Sequence, residues 1–201
     1  DTTMNNQEIK AILDELNETF HPLAFIMTTD EYPNIIRQNR NSAKLLLFLY
    51  KAYWWFSFKR REPFILNNEL FEKEINSGNV YKVVVFFGIR KKKNELAKEI
   101  NKILRNKFPN IESSWSGIIN ELTPVNCNKG EGVRFYCEHT NVKPEDIYVV
   151  GDSGNDISMF NAYHENSYVM AKAYPSVKKY AAHVIPGVYK LGKLVLKKEK
   201  K

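Results

Sequence analysis

The clearest hydrophobic pattern in the chain is a short apolar run that ends in a glycine turn with several polar side chains. Residues 147–150 are Ile-Tyr-Val-Val, and Gly-Asp-Ser-Gly-Asn-Asp follows directly. The run is too short for a helix and too apolar throughout for a half-exposed strand, so it predicts a strand buried on both faces. Gly151 permits a sharp turn, and Asn155 and Asp156 lie at the start of a helix predicted to continue through Asn161.

The segment before this strand has the pattern of a helix and a turn. Lys129 precedes an amphipathic stretch at 133–139, and a polar turn at 143–146 then leads into the strand. A helix, a turn and a buried strand make half of a βαβ unit. Because ligands bind at the carboxyl ends of strands in open α/β sheets, Lys129 could reach the same place as Asp152.

The polar residues around the predicted strand suit a metal and phosphate site. Mg²⁺ prefers carboxylate oxygens, an amide near a helix N-terminus suits a phosphate oxygen, and a lysine offers a point charge to phosphate and carboxylate alike. The same residue types also form ordinary turns and helix N-caps, and an isolated lysine is most often solvated. These residues alone therefore leave a simple polar turn open as the alternative.

Taken together, these segments resemble the C-terminal third of the Cof-type phosphatases of the haloacid dehalogenase-like (HAD) superfamily. The residues that carry the resemblance are Asn128-Lys129-Gly130, the Gly-Asp-Ser-Gly-Asn-Asp motif, Met159, Tyr168-Val169-Met170-Ala171-Lys172-Ala173, Val177-Lys178 and Ala181-Ala182. The resemblance implies an α/β fold in which a Rossmann-like core is joined to an α/β cap domain.

The resemblance also implies roles for individual residues. Lys129 would contact the phosphoryl group, Asp152 would bind Mg²⁺ as a catalytic residue, and Asn155 would contact the substrate phosphate. Asp156 would support the metal site or orient the lysine. Lys172 stands where the family has an asparagine, so this chain departs from the pattern in that loop.

The family's N-terminal DxDxT motif, which supplies the nucleophile, is not found in these residues. One interpretation is that Asp1 begins its remainder, with Thr28 and Thr29 in place of the family's second motif. The interpretation we favour assigns residues 1–116 to the cap domain and 117–201 to the C-terminal part of the core. A chain of this kind would be inactive by itself.

Hydrophobic spacing predicts the elements of the first region. Apolar residues recur at helical spacing in 7–20, at Ile9, Ile12, Leu13 and Leu16, and again in 94–108. In the second of these helices the predicted apolar face is formed by Leu96, Ile100, Ile103 and Leu104. The ranges 23–28 and 81–87 have strand patterns, and 112–122 resembles the last cap strands that return to the core.

Composition narrows the class of protein. A chain of 201 residues with 43% hydrophobic and 26% charged residues is ordinary globular material. Its net charge of +7 comes largely from runs at 91–93 and 197–201. Such runs are usually solvated, although a basic surface can also steer anionic metabolites. A nucleic-acid-binding module is therefore a third hypothesis that we do not favour.

The aromatic stretch at 45–58 is too short and too polar to span a membrane. It is predicted either to be buried in the cap or to face a cleft or partner. Cys127 and Cys137 match no zinc-binding spacing, so we predict a reduced pair and a cytoplasmic protein.

By resemblance, the intact protein is expected to be a Mg²⁺-dependent phosphatase for small phosphorylated metabolites such as sugar phosphates, working through an aspartyl-phosphate. The alternative of a different class is a non-catalytic phosphate-binding or regulatory protein. In the family, the strand corresponding to 147–150 lies beside the strand that carries the nucleophile. Without that neighbour its edge would be open, and we expect self-association through it.

Overall fold

The computed structural model describes residues 2–41, 43–45, 48, 64–88 and 92–193. They form two compact units, Asp1–Val125 and Asn126–Lys201. Both units combine strands with helices, so the predicted α/β class is confirmed.

The first unit is built on a six-stranded sheet. Its elements are α1 Asn6–Phe20, β1 Ala24–Thr29, β2 Ile35–Gln38, β3 Ile65–Leu66, α2 Asn68–Ser77, β4 Val80–Phe86, α3 Lys92–Lys107, β5 Ile111–Ser116 and β6 Ile119–Pro124. The strand order is β3-β2-β1-β4-β6-β5. Neighbouring strands are antiparallel except β2 and β3, which are parallel.

The core of this unit lies where the apolar faces of α1 and α3 meet the sheet. The predicted stripe of α1 is confirmed, since all four of its members are buried: Ile9, Ile12, Leu13 and Leu16. The N-cap of the helix is Asn5, whose side chain accepts a hydrogen bond from the Glu8 N–H. Val83 and Val85 of β4 and Phe25 of β1 complete the contact with the sheet.

One residue of the predicted α3 face is placed differently. Ile100 and Leu104 are buried, whereas Ile103 is 37% exposed. At about 100° per residue, Ala97 and Leu104 lie on one side of Ile100 and Ile103 lies on the other. Because Ala97 is also buried, the contact face is centred away from Ile103, and its predicted burial was wrong.

The division between the units falls later in the chain than the predicted boundary after residue 116. Strand β6 pairs antiparallel with β5 from Ile119 to Pro124, and it also pairs with β4. These hydrogen bonds attach residues 119–124 to the first sheet, so the observed units divide between Val125 and Asn126.

The second unit is a three-stranded parallel sheet with helices between its strands. Its elements are α4 Lys129–Thr140, β7 Val149–Gly151, α5 Ile157–Ala162, β8 Ser167–Met170, α6 Pro175–Lys178 and β9 His183–Ile185, with 3₁₀ turns at Pro144–Asp146, Gly154–Asp156, His164–Asn166 and Val188–Lys190. The strand order is β7-β8-β9, and both pairs are parallel.

Strand β7 is shorter and less buried than predicted. The Ile147 N–H donates to the Pro144 carbonyl at 3.2 Å, so the preceding 3₁₀ turn uses the backbone where the strand was expected to begin. Val149 and Gly151 are buried, while Val150 is half-buried. Strand β7 pairs with β8, and no strand of the described ranges pairs with its other edge. Burial on both faces was therefore wrong for Val150.

Several predictions fall partly or wholly outside the described residues. These are Asp1, most of the stretch 45–58, and the basic run 197–201. Within the stretch, Leu45 and Phe48 are described and are 64% and 65% exposed, so burial was wrong for these two. No helix in the described part of the chain is long and apolar enough to cross a membrane.

Candidate functional site

The polar residues after β7 are organised around the carboxylate of Asp156. Its Oδ2 accepts hydrogen bonds from the backbone N–H groups of Asp152 at 2.9 Å and Ser153 at 3.0 Å. Its Oδ1 accepts a hydrogen bond from Lys129 Nζ at 2.5 Å. The side chain of Asp156 is only 5% exposed. One buried carboxylate thus ties the loop to itself and to the first residue of α4.

Gly151 leaves room for that carboxylate. A Cβ atom at this position would lie 2.4 to 2.5 Å from Cγ, Cβ and Oδ2 of Asp156. Gly151 is not among the glycines with positive φ. The residue is therefore required by the close approach of a side chain, and not by the left-handed backbone that glycine turns often adopt.

The fold holds Lys129 at an electrostatically unfavourable position. It is the first residue of α4, and the N-cap Asn128 accepts a hydrogen bond from the Glu131 N–H at 3.1 Å. A helix N-terminus carries positive partial charge, so a lysine there is disfavoured unless an anion offsets it. Asp156 is that anion, and the lysine side chain remains 49% exposed. The ammonium group is consequently both held in place and accessible.

A second glycine brings the two helices together. A Cβ atom on Gly130 would lie 2.7 Å from the Ser158 carbonyl oxygen. The Gly130 N–H donates to Ser158 Oγ at 3.1 Å. This contact sets the start of α4 against the start of α5, which is why Lys129 reaches Asp156.

Two predicted residues retain unused hydrogen-bonding capacity. Asp152 is half-buried, and its carboxylate has no hydrogen bond or ion pair within the described residues. The Oδ1 atom of Asn155 is buried and has no hydrogen-bond partner. Both follow β7 directly, so the structure brings all four predicted residues, Lys129, Asp152, Asn155 and Asp156, to one loop and one helix start.

The donor set of this loop fits a magnesium ion that keeps most of its water. Mg²⁺ is commonly bound through one or two carboxylates together with water and substrate phosphate. The Asp152 carboxylate is a ligand of that kind, and the Asn155 Oδ1 atom without a described hydrogen-bond partner is a further oxygen acceptor in the same loop. Among the residues that the structure describes, no group of three or more His, Cys, Asp or Glu side chains could hold an ion.

Sequence reasoning missed the supporting contribution of Ser153. Its side chain accepts a hydrogen bond from the Asp156 N–H, while the Asp156 side chain accepts one from the Ser153 N–H. This reciprocal pair is a capping box, and the spacing of a serine three residues before an acid could have indicated it. Ser158 carried no comparable signal, because its contact with Gly130 joins distant parts of the chain.

The two cysteines differ in exposure. Cys127 is exposed and Cys137 is buried, and the two thiols are not joined in a disulfide. Cys137 Sγ lies 3.7 Å from the Tyr163 hydroxyl. Burial, together with this hydrogen bond, raises the pKa of Tyr163.

Comparison with known proteins gives relatives by sequence and by structure. MG125 of Mycoplasma genitalium, which carries a provisional phosphatase name, is 28% identical over 142 residues, covering 70% of this chain and 45% of that protein. The structure of SMU.1108c from Streptococcus mutans aligns with a TM-score of 0.71 at 15% identity, covering 100% of this chain and 70% of that one. The subclass IIB sugar phosphatase BT4131 aligns with a TM-score of 0.67 at 20% identity, covering 96% and 67%.

The chain spans less than half the length of the first two curated relatives that it matches, 28% of one and 45% of the other. The two structural likenesses have low sequence identity and establish the fold alone. The family model covers far more of the chain, from residue 1 to residue 192. The chain belongs to the haloacid dehalogenase-like hydrolases.

Proposed function

We propose that the intact protein is a Mg²⁺-dependent phosphatase that hydrolyses small phosphorylated metabolites, such as sugar phosphates, through an aspartyl-phosphate. Family membership supports the hydrolase class, and one structural relative is a sugar phosphatase. The observation that carries the proposal is the ion pair at 2.5 Å that fixes Lys129 beside the Asp152 loop.

Lys129 would stabilise the negative charge that develops on the transferring phosphoryl group. A charge that is already in position needs no reorganisation during the reaction and so lowers the barrier most effectively. Asp156 provides that positioning, since one of its oxygens contacts the ammonium group and the other accepts two backbone N–H groups. Of the two roles considered for Asp156, this geometry favours orienting the lysine over ligating the metal.

Asp152 would hold the metal ion, and Asn155 would contact the substrate phosphate. When bound, Mg²⁺ would supply further stabilisation of charge on the phosphoryl oxygens. The half-buried position of Asp152 leaves its carboxylate open to an ion. The contact with phosphate would be made by the side-chain N–H group of Asn155, because its buried, unpartnered Oδ1 is an acceptor and is suited to a cation.

The attacking carboxylate would come from another part of the intact protein. It would form a bond to phosphorus as the bond to the leaving alcohol oxygen breaks, and water would then hydrolyse the acyl phosphate. The carboxylates of Asp152 and Asp156 would not attack phosphorus, because the first would bind the metal ion and the second orients Lys129. The proposal therefore assigns phosphate binding and charge stabilisation to this chain.

Phosphate release by the native-length protein tests the proposal. A panel of sugar phosphates and cofactor phosphates should include substrates that release inorganic phosphate with Mg²⁺ and not with a chelator. Failure of every phosphorylated compound, with the protein folded and Mg²⁺ present, would contradict the assignment. A folded protein that binds phosphate without turnover would instead support the non-catalytic alternative.

A polypeptide of residues 1–201 alone should show no phosphatase turnover, because Asp152 and Asp156 are assigned to the metal and to Lys129 and the sequence contains no DxDxT motif to supply the attacking carboxylate. The measurement is phosphate release from a generic phosphoester with Mg²⁺. Release that disappears on Asp152→Asn would sink this expectation and would favour Asp1 as the attacking residue.

We also propose that the protein works in the reducing cytoplasm, which is the usual compartment of cysteines outside disulfides.

This polypeptide should further self-associate through the open edge of β7. An unpaired strand edge is a template for another chain. Light scattering at several concentrations should show assembly, and Val150→Lys should weaken it by adding charge at the edge. Val188→Lys is the control, because Val188 is 57% exposed and lies in a 3₁₀ turn outside the sheet. A stable monomer that binds no hydrophobic dye would mean that the edge is covered.

A further inference from the structure

A polar cavity of about 560 Å³ lies in the first unit, at the end of strand β2. Its walls include Asn39, Arg40 and Lys44 from the chain after β2, and Asn68 from the start of α2. The volume falls in the range of pockets that bind small molecules. None of the described residues that line it is acidic, so its charged groups are both cationic.

Hydrogen bonds within the wall engage the amide oxygens of Asn39 and Asn68. Asn68 Oδ1 accepts from the Gln38 N–H at 2.9 Å, and Asn68 Nδ2 donates to the Gln38 carbonyl at 3.2 Å. Asn39 Oδ1 accepts from Arg37 Nε at 3.1 Å. These bonds fix Asn39 and Asn68 with their acceptors already occupied.

Two donors in the same wall have no partner among the described residues. Asn39 Nδ2 and Arg40 Nε are both buried and make no hydrogen bond there. The Arg40 guanidinium is held through Nη2, which donates to the Asn17 carbonyl at 3.1 Å and contacts His21 Nδ1 at 2.7 Å. Lys44 is exposed and has no ion pair within the described ranges. The cavity wall thus offers hydrogen-bond donors and positive charge.

The nearby Arg37 differs from Arg40 and Lys44 because its charge is paired with a carboxylate. It pairs with Glu72 at 2.5 Å and lies over the rings of Phe25 and Phe71. Its charge is neutralised within the fold, which is the usual arrangement for a structural arginine. Arg40 and Lys44 have no such carboxylate in the described part of the chain.

We propose that this cavity binds the oxyanion group of a small molecule, a phosphate or a carboxylate, with Arg40 and Lys44 as charged donors and Asn39 as a neutral donor. An oxyanion accepts several hydrogen bonds, and an arginine fork suits its geometry. Because Asn39 Nδ2 and Arg40 Nε are closed off in the free protein, these side chains rotate slightly towards the ligand on binding. The residues of this wall belong to the first unit and those of the Lys129 loop to the second, and the proposal does not rest on the proposed phosphatase activity.

Titration of the 201-residue chain with inorganic phosphate and, separately, malonate tests the proposal, at constant ionic strength to hold screening fixed. The readouts are the side-chain amide resonances of Asn39 and the dissociation constant. Arg40→Gln and Lys44→Gln should each weaken binding by about 10-fold, as expected for loss of a charge-assisted hydrogen bond. Lys44→Gln removes an exposed side chain, so it retains the fold even if Arg40→Gln does not.

Two control variants distinguish binding at this cavity from a nonspecific effect of charge and from binding at the Lys129 loop. Arg105→Gln removes the same charge from an exposed position of α3 and should leave binding unchanged. Lys129→Ala should leave the Asn39 shifts unchanged. Tighter binding of phosphate or of malonate identifies the class of oxyanion. Absence of Asn39 shifts with both anions, or equal affinity in wild type, Arg40→Gln and Lys44→Gln, would overturn the proposal.

Discussion

Lys129→Ala and Asp152→Asn are each expected to lower the phosphatase turnover of the intact protein by about 10² to 10³-fold without unfolding it. The proposed role of each residue is electrostatic, and each change removes one charge that is positioned before the reaction begins. Lys129 is 49% exposed, so its truncation removes little packing. Asp156 retains its two backbone N–H donors in that variant, which supports the loop.

Nearby residues of the same types provide matched controls. Lys143 and Asp146 are exposed in the turn before β7, and Lys143→Ala and Asp146→Asn should leave turnover close to the wild-type value. The measurements are kcat for phosphate release and circular dichroism of each variant. Wild-type kcat in the Lys129 or Asp152 variant, with an unchanged spectrum, would remove that residue from the mechanism.

Gly151→Ala is expected to lower the free energy of unfolding of the second unit by about 3 kcal/mol, at the upper end of the cost of overpacking. The new methyl group would meet Asp156 at 2.4 to 2.5 Å. The carboxylate cannot move away freely, because it is held by Lys129, Asp152 and Ser153. Relief of the clash therefore requires breaking at least part of this network.

Gly132→Ala is the matched control for that change. Gly132 lies in α4 and is exposed, and no heavy atom lies within 4 Å of the position that an added methyl group would take. Alanine has the higher helix propensity, so this variant should gain about 0.5 to 1 kcal/mol. Urea unfolding of the two variants gives the comparison. If the Gly151→Ala and Gly132→Ala variants have equal free energies of unfolding, the Asp156 side chain can move away from the new methyl group at little energetic cost.

Local patterns were sufficient for much of the fold and of the candidate site. The stripe Ile9, Ile12, Leu13 and Leu16 predicted α1 because helical spacing and burial depend on neighbouring residues. The motif after Val150 indicated a loop at a strand end for the same reason. The four site residues could be named from residue type and order, whereas their mutual contacts could not.

Long-range contacts decided the rest. Residues 119–124 belong with the first sheet because β6 pairs with β4, a relation that no local pattern contains. Ile103 is exposed because the position of the sheet selects the buried side of α3. The unpartnered donors of Asn39 and Arg40 are likewise a property of the assembled wall.

The sequence by itself determined the class of fold, the principal helices and the chemistry available at the Asp152 loop, because residue type and spacing act locally. Only the tertiary structure decided how that chemistry is arranged. It placed Asp156 against Lys129, made Gly151 a requirement of space, and left one edge of β7 without a strand among the described residues. Each of these depends on segments that are distant along the chain and meet only after folding.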